Sequence, residues 1–177
     1  AVFMTRHNCN GQLLPPLLIK AETKWSVIDV GIVLLALTQT TNLGKSFVRR
    51  LEKKGFAQRF CEVENLSEVW LALLYINRAK REWARKLCAS LNAKKFARRL
   101  ERGKDSQTVF YCLGQIFKAN KSKGREIWQT LDQERLISLV PISGNTVLMN
   151  YASGIGLIVK YDRETAKEIF ARWDITI

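Results

Sequence analysis

At 177 residues the chain is long enough for one domain with a substantial core and short for two. Its 47% hydrophobic and 25% charged content falls in the globular range, which excludes wholesale disorder. With 29 Lys+Arg against 16 Asp+Glu, the net charge of +13 creates a positive potential that favours nucleic acid, an anionic membrane or an acidic protein without choosing among them.

The longest apolar run, 30–37, is about two fifths of the roughly 20 residues that a membrane helix needs. The start of the chain has no basic segment followed by an apolar stretch and a small-residue cleavage site. A soluble protein is expected. Cys9, Cys61, Cys88 and Cys112 are scattered and form no CxxC pair, so the reading is a reducing cytoplasm rather than a disulfide framework.

Residues 1–24 read as an N-terminal segment, the remnant of a preceding unit or a cap. Asn10-Gly11 and the stretch around Pro15-Pro16 fall where the last helix of such a unit would sit, and the prolines oppose a regular helix there. His7 is the only histidine in the chain. It stands near Cys9 without a second ligand pair, so no metal site is expected. A Ser–His or Cys–His nucleophile has no other histidine to use.

From residue 25 the chain repeats itself. A shift of 40 residues brings 33–60, 73–100 and 113–140 together, and a shift of 42 adds 155–173. Val33, Leu73, Leu113 and Ile155 then share a column, as do Ala36, Ile76, Ile116 and Ile158. Further apolar columns are Phe47, Leu87, Ile127 and Ile169, then Leu51, Leu91, Leu131 and Trp173. Phe56, Phe96 and Leu136 form another, and Phe60, Leu100 and Val140 a last. Gly44, Ala84, Gly124 and Ala166 are small every time, as close packing of two helix backbones requires. The units are about 25–62, 63–102, 103–142 and 143–177.

In the first unit, Thr41-Asn42-Leu43-Gly44-Lys45-Ser46 ends like a phosphate-binding loop. Gln39 stands where that loop needs its first glycine, so no nucleotide site is expected. In the second unit, Leu66, Val69, Trp70, Leu73 and Ile76 have the spacing of an amphipathic helix with Asn65 or Ser67 as cap. Trp83, Leu87 and Leu91 mark a second helix, and Asn92 opens a short third one with Phe96 and Leu100. Each unit therefore reads helix, helix, short helix.

Gly103-Lys104-Asp105 and the stretch from Pro141 to Asn145 separate the later units. Asp105, Asp132, Asp162 and Asp174 read as helix caps, and Glu62, Glu64 and Glu68 as a solvated cluster. In the fourth unit Gly154-Ile155-Gly156 reads as loosening a helix start, and Asp162 opens the second helix. Trp70, Trp83, Trp128 and Trp173 read as core. Terminal repeats need polar caps, so either the ends do the capping or the chain belongs to a longer protein.

In unit length and column chemistry, residues 25–174 resemble the armadillo- and HEAT-like α-solenoids, whose units hold two or three helices in about 40–47 residues. The resemblance implies an all-α, right-handed solenoid of about three and a half units. It also implies the work such solenoids do, as scaffolds, cargo receptors or sensor arms, some of which bind nucleic acid.

Positive charge recurs in two columns. Lys45, Arg85, Arg125 and Lys167 occupy one, and Arg78, Lys118 and Lys160 the other. In a solenoid a column becomes a row along one edge, so the two would form a cationic stripe able to bind phosphates or an acidic peptide. Cations near helix C-termini also answer the carbonyl end of the helix dipole. The expected function is a non-catalytic scaffold or sensor module, with no cofactor, that binds a macromolecular partner, above all protein, through this surface. The alternative is a nucleic-acid-binding repeat protein. A base-excision enzyme on damaged DNA stands third, because no acid aligns among the basic columns.

Overall fold

The computed structural model describes residues 25–37, 41–103, 105–138 and 145–172. The N-terminal segment with His7 and Cys9, the 139–144 connection, Trp173 and Asp174 lie outside them. Among the described residues every regular element is an α-helix, eleven in all, and none is long and apolar enough to cross a membrane. The first three are α1 (Val27–Leu37), α2 (Thr41–Lys53) and α3 (Phe56–Glu62). Then come α4 (Leu66–Ala79), α5 (Arg81–Ala89) and α6 (Ala93–Glu101), followed by α7 (Ser106–Ala119), α8 (Lys121–Thr130) and α9 (Gln133–Ser138). The last are α10 (Asn145–Tyr161) and α11 (Arg163–Arg172).

Local chemistry sets the boundaries. Ser26 Oγ accepts from the Asp29 amide while the Asp29 carboxylate accepts from the Ser26 amide, a reciprocal cap for α1. Asn65, Asn92, Asp105, Asn120 and Asp132 accept from amides in the first turns of α4, α6, α7, α8 and α9. Between α2 and α3, Gly55 adopts φ 70°, a left-handed conformation that costs a glycine nothing.

The chain divides into two compact units between Ser90 and Leu91. In the first, α1 packs along α4. The buried stripe of α1 is Val27, Val30, Leu34 and Leu37, and that of α4 is Leu66, Val69, Leu73 and Ile76. The two stripes are offset by 39 residues rather than 40. Val33 and Ala36, placed in the core columns by a uniform shift, are only half-buried; Leu34 and Leu37 take their places. The second helices keep the 40-residue offset, with Phe47 and Leu87 both buried. From the last buried residue of the stripe to the start of the second helix is four residues at Leu37–Thr41, against five at Ile76–Arg81.

The rest of the first core is aromatic. The Phe56 ring stacks 5.2 Å from that of Trp83 and 6.5 Å from that of Phe60. The Arg59 guanidinium lies 5.1 Å over the Phe56 ring, and burial lowers its pKa.

In the second unit α7 packs along α10, and α8 packs on α6 and α7. The α7–α10 crossing is made at two glycines. A Cβ added at Gly114 would stand 2.5 Å from the Gly154 carbonyl oxygen, and one at Gly154 would stand 2.6 Å from the Phe110 carbonyl carbon. Gly154 thus lies inside α10 and sets a helix crossing; it does not loosen a helix start, because the helix already runs through it from Asn145.

The small column has the packing role its chemistry suggests. Ala84 and Ala166 are buried, and a Cβ at Gly124 would meet the Phe117 ring at 2.7 Å. At Gly44 and Gly124 the second helix packs against the last turn of the first. The Arg99 guanidinium lies 5.4 Å from the Phe96 ring centroid, the same pairing at the same offset as Arg59 on Phe56. Burial pushes the Cys112 thiol up, with the Arg99 charge opposing.

Candidate partner-binding groove

The second helices carry the column Lys45, Arg85, Arg125 and Lys167. On α2, Phe47 and Leu51 face the core, and Lys45, Val48, Arg49 and Glu52 follow one another at i, i+3, i+4 and i+7. That face forms one wall of an open groove of about 490 Å³ in the first unit. The other wall is the α4–α5 junction and the start of α5, from Ala79 through Lys80, Arg81, Glu82 and Trp83 to Lys86. Five cations and two carboxylates line the groove, with Val48, Ala79 and Trp83 as its apolar part.

Both carboxylates already have basic neighbours. Glu82 is 3.0 Å from Arg85, and Glu52 is 3.9 Å from Lys86. Among the described residues no carboxylate pairs with Lys45 or Lys80. The Lys80 side chain lies across Gly44, its Cε 3.7 Å from where a Cβ would stand.

In the second unit, α8 and α11 are joined by polar bonds. Asp162, the residue before α11, has a fully buried side chain and accepts from Arg125 Nε at 2.5 Å and from Arg125 Nη2 at 2.7 Å. Thr165 Oγ1 donates to it at 2.9 Å, and Lys121 Nζ is 3.4 Å away. The bond from Arg125 holds the Asp162 carboxyl at about 2, below its ordinary value, and Asp162 raises the Arg125 pKa in turn. Nearby, the Trp128 indole is buried and donates from Nε1 to Glu168 Oε2 at 2.9 Å.

The two basic columns are therefore not equivalent along their length. Lys45 lines the groove. Arg85 pairs with Glu82, and Lys167 with Glu164 at 3.2 Å. Arg125 is committed to Asp162. Arg78, Lys118 and Lys160 stand in the last turns of α4, α7 and α10, where they meet the negative end of the helix dipole. The Lys160 ammonium is also 5.7 Å from the Tyr161 ring centroid.

Arg49, Lys80, Arg81 and Lys86 line the groove without belonging to either column. Their signal was in the sequence in inverted form. Lys80 shares a column with Asn120 and Asp162, and Lys86 with Glu126 and Glu168, so these are positions where the charge changes rather than recurs.

No cluster of three or more His, Cys, Asp or Glu side chains suited to a metal occurs among the described residues. Among the described residues Cys61, Cys88 and Cys112 form no disulfide. Comparison of the chain with protein-family models, with curated proteins and with solved structures found no match in any of the three.

Proposed function

We propose that this chain is a non-catalytic helical-repeat module, an armadillo- or HEAT-like right-handed solenoid, that binds an acidic protein surface in the cytoplasm. The observation that carries the reading is the groove of the first unit, which gathers Lys45, Arg49, Lys80, Arg81 and Lys86 around an apolar floor. Positive charge lining a concave face concentrates field and draws an acidic partner. The recurrence of three helices at 27–62, 66–101 and 106–138 supports the repeat architecture.

A nucleic acid is the less favoured partner. A phosphate track calls for cations in succession, and here Arg85, Arg125 and Lys167 are each held by a carboxylate of the protein itself.

The test is fluorescence anisotropy with labelled polyglutamate and with single- and double-stranded DNA and RNA, at low and physiological salt. The proposal expects the acidic polypeptide to stay bound at physiological salt and the nucleic acids to bind only at low salt. The opposite order, with a steep fall of log affinity against log salt for nucleic acid, would transfer the function to nucleic-acid binding.

A further inference from the structure

The two second-helix pairs, α2 with α5 and α8 with α11, occupy the same places in the repeat, yet their chemistry is opposite. In the second unit the space between them is filled by the protein's own side chains. Trp128 supplies bulk and bonds to Glu168, and Arg125 clamps Asp162. At the corresponding positions of the first unit, Val48 stands for Trp128, Lys80 for Asp162 and Lys86 for Glu168. Arg125 keeps its charge as Lys45. At these three positions the first unit has neither the Trp128 indole nor the two carboxylates, although Trp83 stands where the second unit has Thr165, and an open cationic groove lies beside them.

We infer that this groove receives in trans what the second unit supplies in cis, a segment of an acidic protein carrying a bulky apolar side chain flanked by carboxylates. The apolar side chain lies over Val48 and Trp83, and the carboxylates reach Lys45, Lys80 and Lys86. Two features favour this occupant over a phosphate backbone. The anions absent at Lys80 and Lys86 are carboxylates, and the bulk absent at Val48 is an indole. The inference rests on the binding function proposed above and specifies its site.

The experiment uses the full chain and a fluorescent peptide of about a dozen residues, with one Trp flanked by Asp and Glu, a length that can span such a groove. A control peptide carries Lys in place of the acids. The variants Val48→Trp, Lys80→Asp and Lys86→Glu copy the second unit's own residues, and circular dichroism should show their helicity unchanged. Each should weaken the acidic peptide by about tenfold, in keeping with loss of one charged hydrogen bond or its apolar contact, and the three together should abolish binding. Lys80→Asp alone carries the test if the larger Trp disturbs the helix pair.

Unchanged affinity in the triple variant, with loss on Arg78→Glu and Lys160→Glu, would overturn the groove while leaving the binding function standing. Failure of both the peptide and polyglutamate to bind the unaltered chain would overturn both. Tighter binding of an oligonucleotide than of the peptide, sensitive to the same three substitutions, would overturn the acidic-protein occupant.

Discussion

Asp162 accepts from Arg125 and Thr165 and lies near Lys121, and its environment sets a pH dependence. Its folded pKa, held at about 2 by Arg125, lies below the ordinary 3.8. A carboxylate of this kind holds its proton less readily in the folded state than in the unfolded one. Its contribution to stability is therefore complete above about pH 4 and is lost as the pH falls towards 2. The contribution is about 2 kcal/mol, since one pKa unit corresponds to about 1.4 kcal/mol. Asp162→Ala should lower stability by at least that amount at neutral pH, because it also leaves Arg125 and Thr165 without their acceptor. Denaturant titrations at pH 7, 4 and 2.5 check both statements: the variant should lose the part of the acid sensitivity that Asp162 supplies, and an undiminished acid slope would refute the assignment.

Two glycines two residues apart make the opposite case at the same scale. Gly154 touches the backbone of α7, and nothing lies within 4 Å of a Cβ at Gly156. Gly154→Leu should cost about 3 kcal/mol or more, since overpacking at a backbone contact forces the helices apart. Gly156→Ala should instead stabilise α10 by about 0.5–1 kcal/mol, the propensity gain at a helix interior. Thermal melts of the pair would separate the two effects; equal shifts in the same direction would contradict the crossing.

At the scale of elements, caps and stripes decide where helices begin and which face they bury. Asp105 accepts from the amides of Gln107 and Thr108 at 3.0 and 3.2 Å and from Thr108 Oγ1 at 2.5 Å. Asp105→Ala should therefore cost about 1 kcal/mol, and Asp105→Asn much less, measured by urea denaturation. Helix order and caps were legible in the chain because they depend on residues only two to four positions apart. Asn65, Asn92, Asp105 and Asp132 were all readable as caps, and all four accept first-turn amides.

The side-chain register of α1 was less legible. The step from the buried Leu37 to the second helix is one residue shorter than the step from Ile76, so the core positions are Leu34 and Leu37 rather than Val33 and Ala36. A run as evenly apolar as that of α1 offers little amphipathic contrast to show this. Only the packing of α1 on α4 selects the face.

For the whole molecule, the +13 charge opposes the folded state through self-repulsion, and salt screens it. Raising ionic strength from about 20 to about 200 mM should raise the melting temperature by a few degrees, and a fall would mean that the internal ion pairs outweigh the repulsion. The same total charge is distributed very differently between equivalent positions. Where Arg125 is neutralised by Asp162, Lys45 faces a groove with Lys80 on the opposite wall.

By itself the sequence determined the helical class, the caps, and the small residues Gly44, Ala84, Gly124 and Ala166. All of these follow from local propensity or from periodic burial, which a chain writes directly into residue spacing. Tertiary structure alone decided which cations are available. An ion pair such as Arg125 with Asp162 joins residues 37 apart and depends on two helices meeting at a particular height. A column of like charges looks the same whether or not a carboxylate of the next helix stands against it. The open groove was hidden for the same reason: a cavity is made by what the neighbouring helix lacks, and neither Val48 nor Lys80 shows that lack until α2 and α5 are side by side.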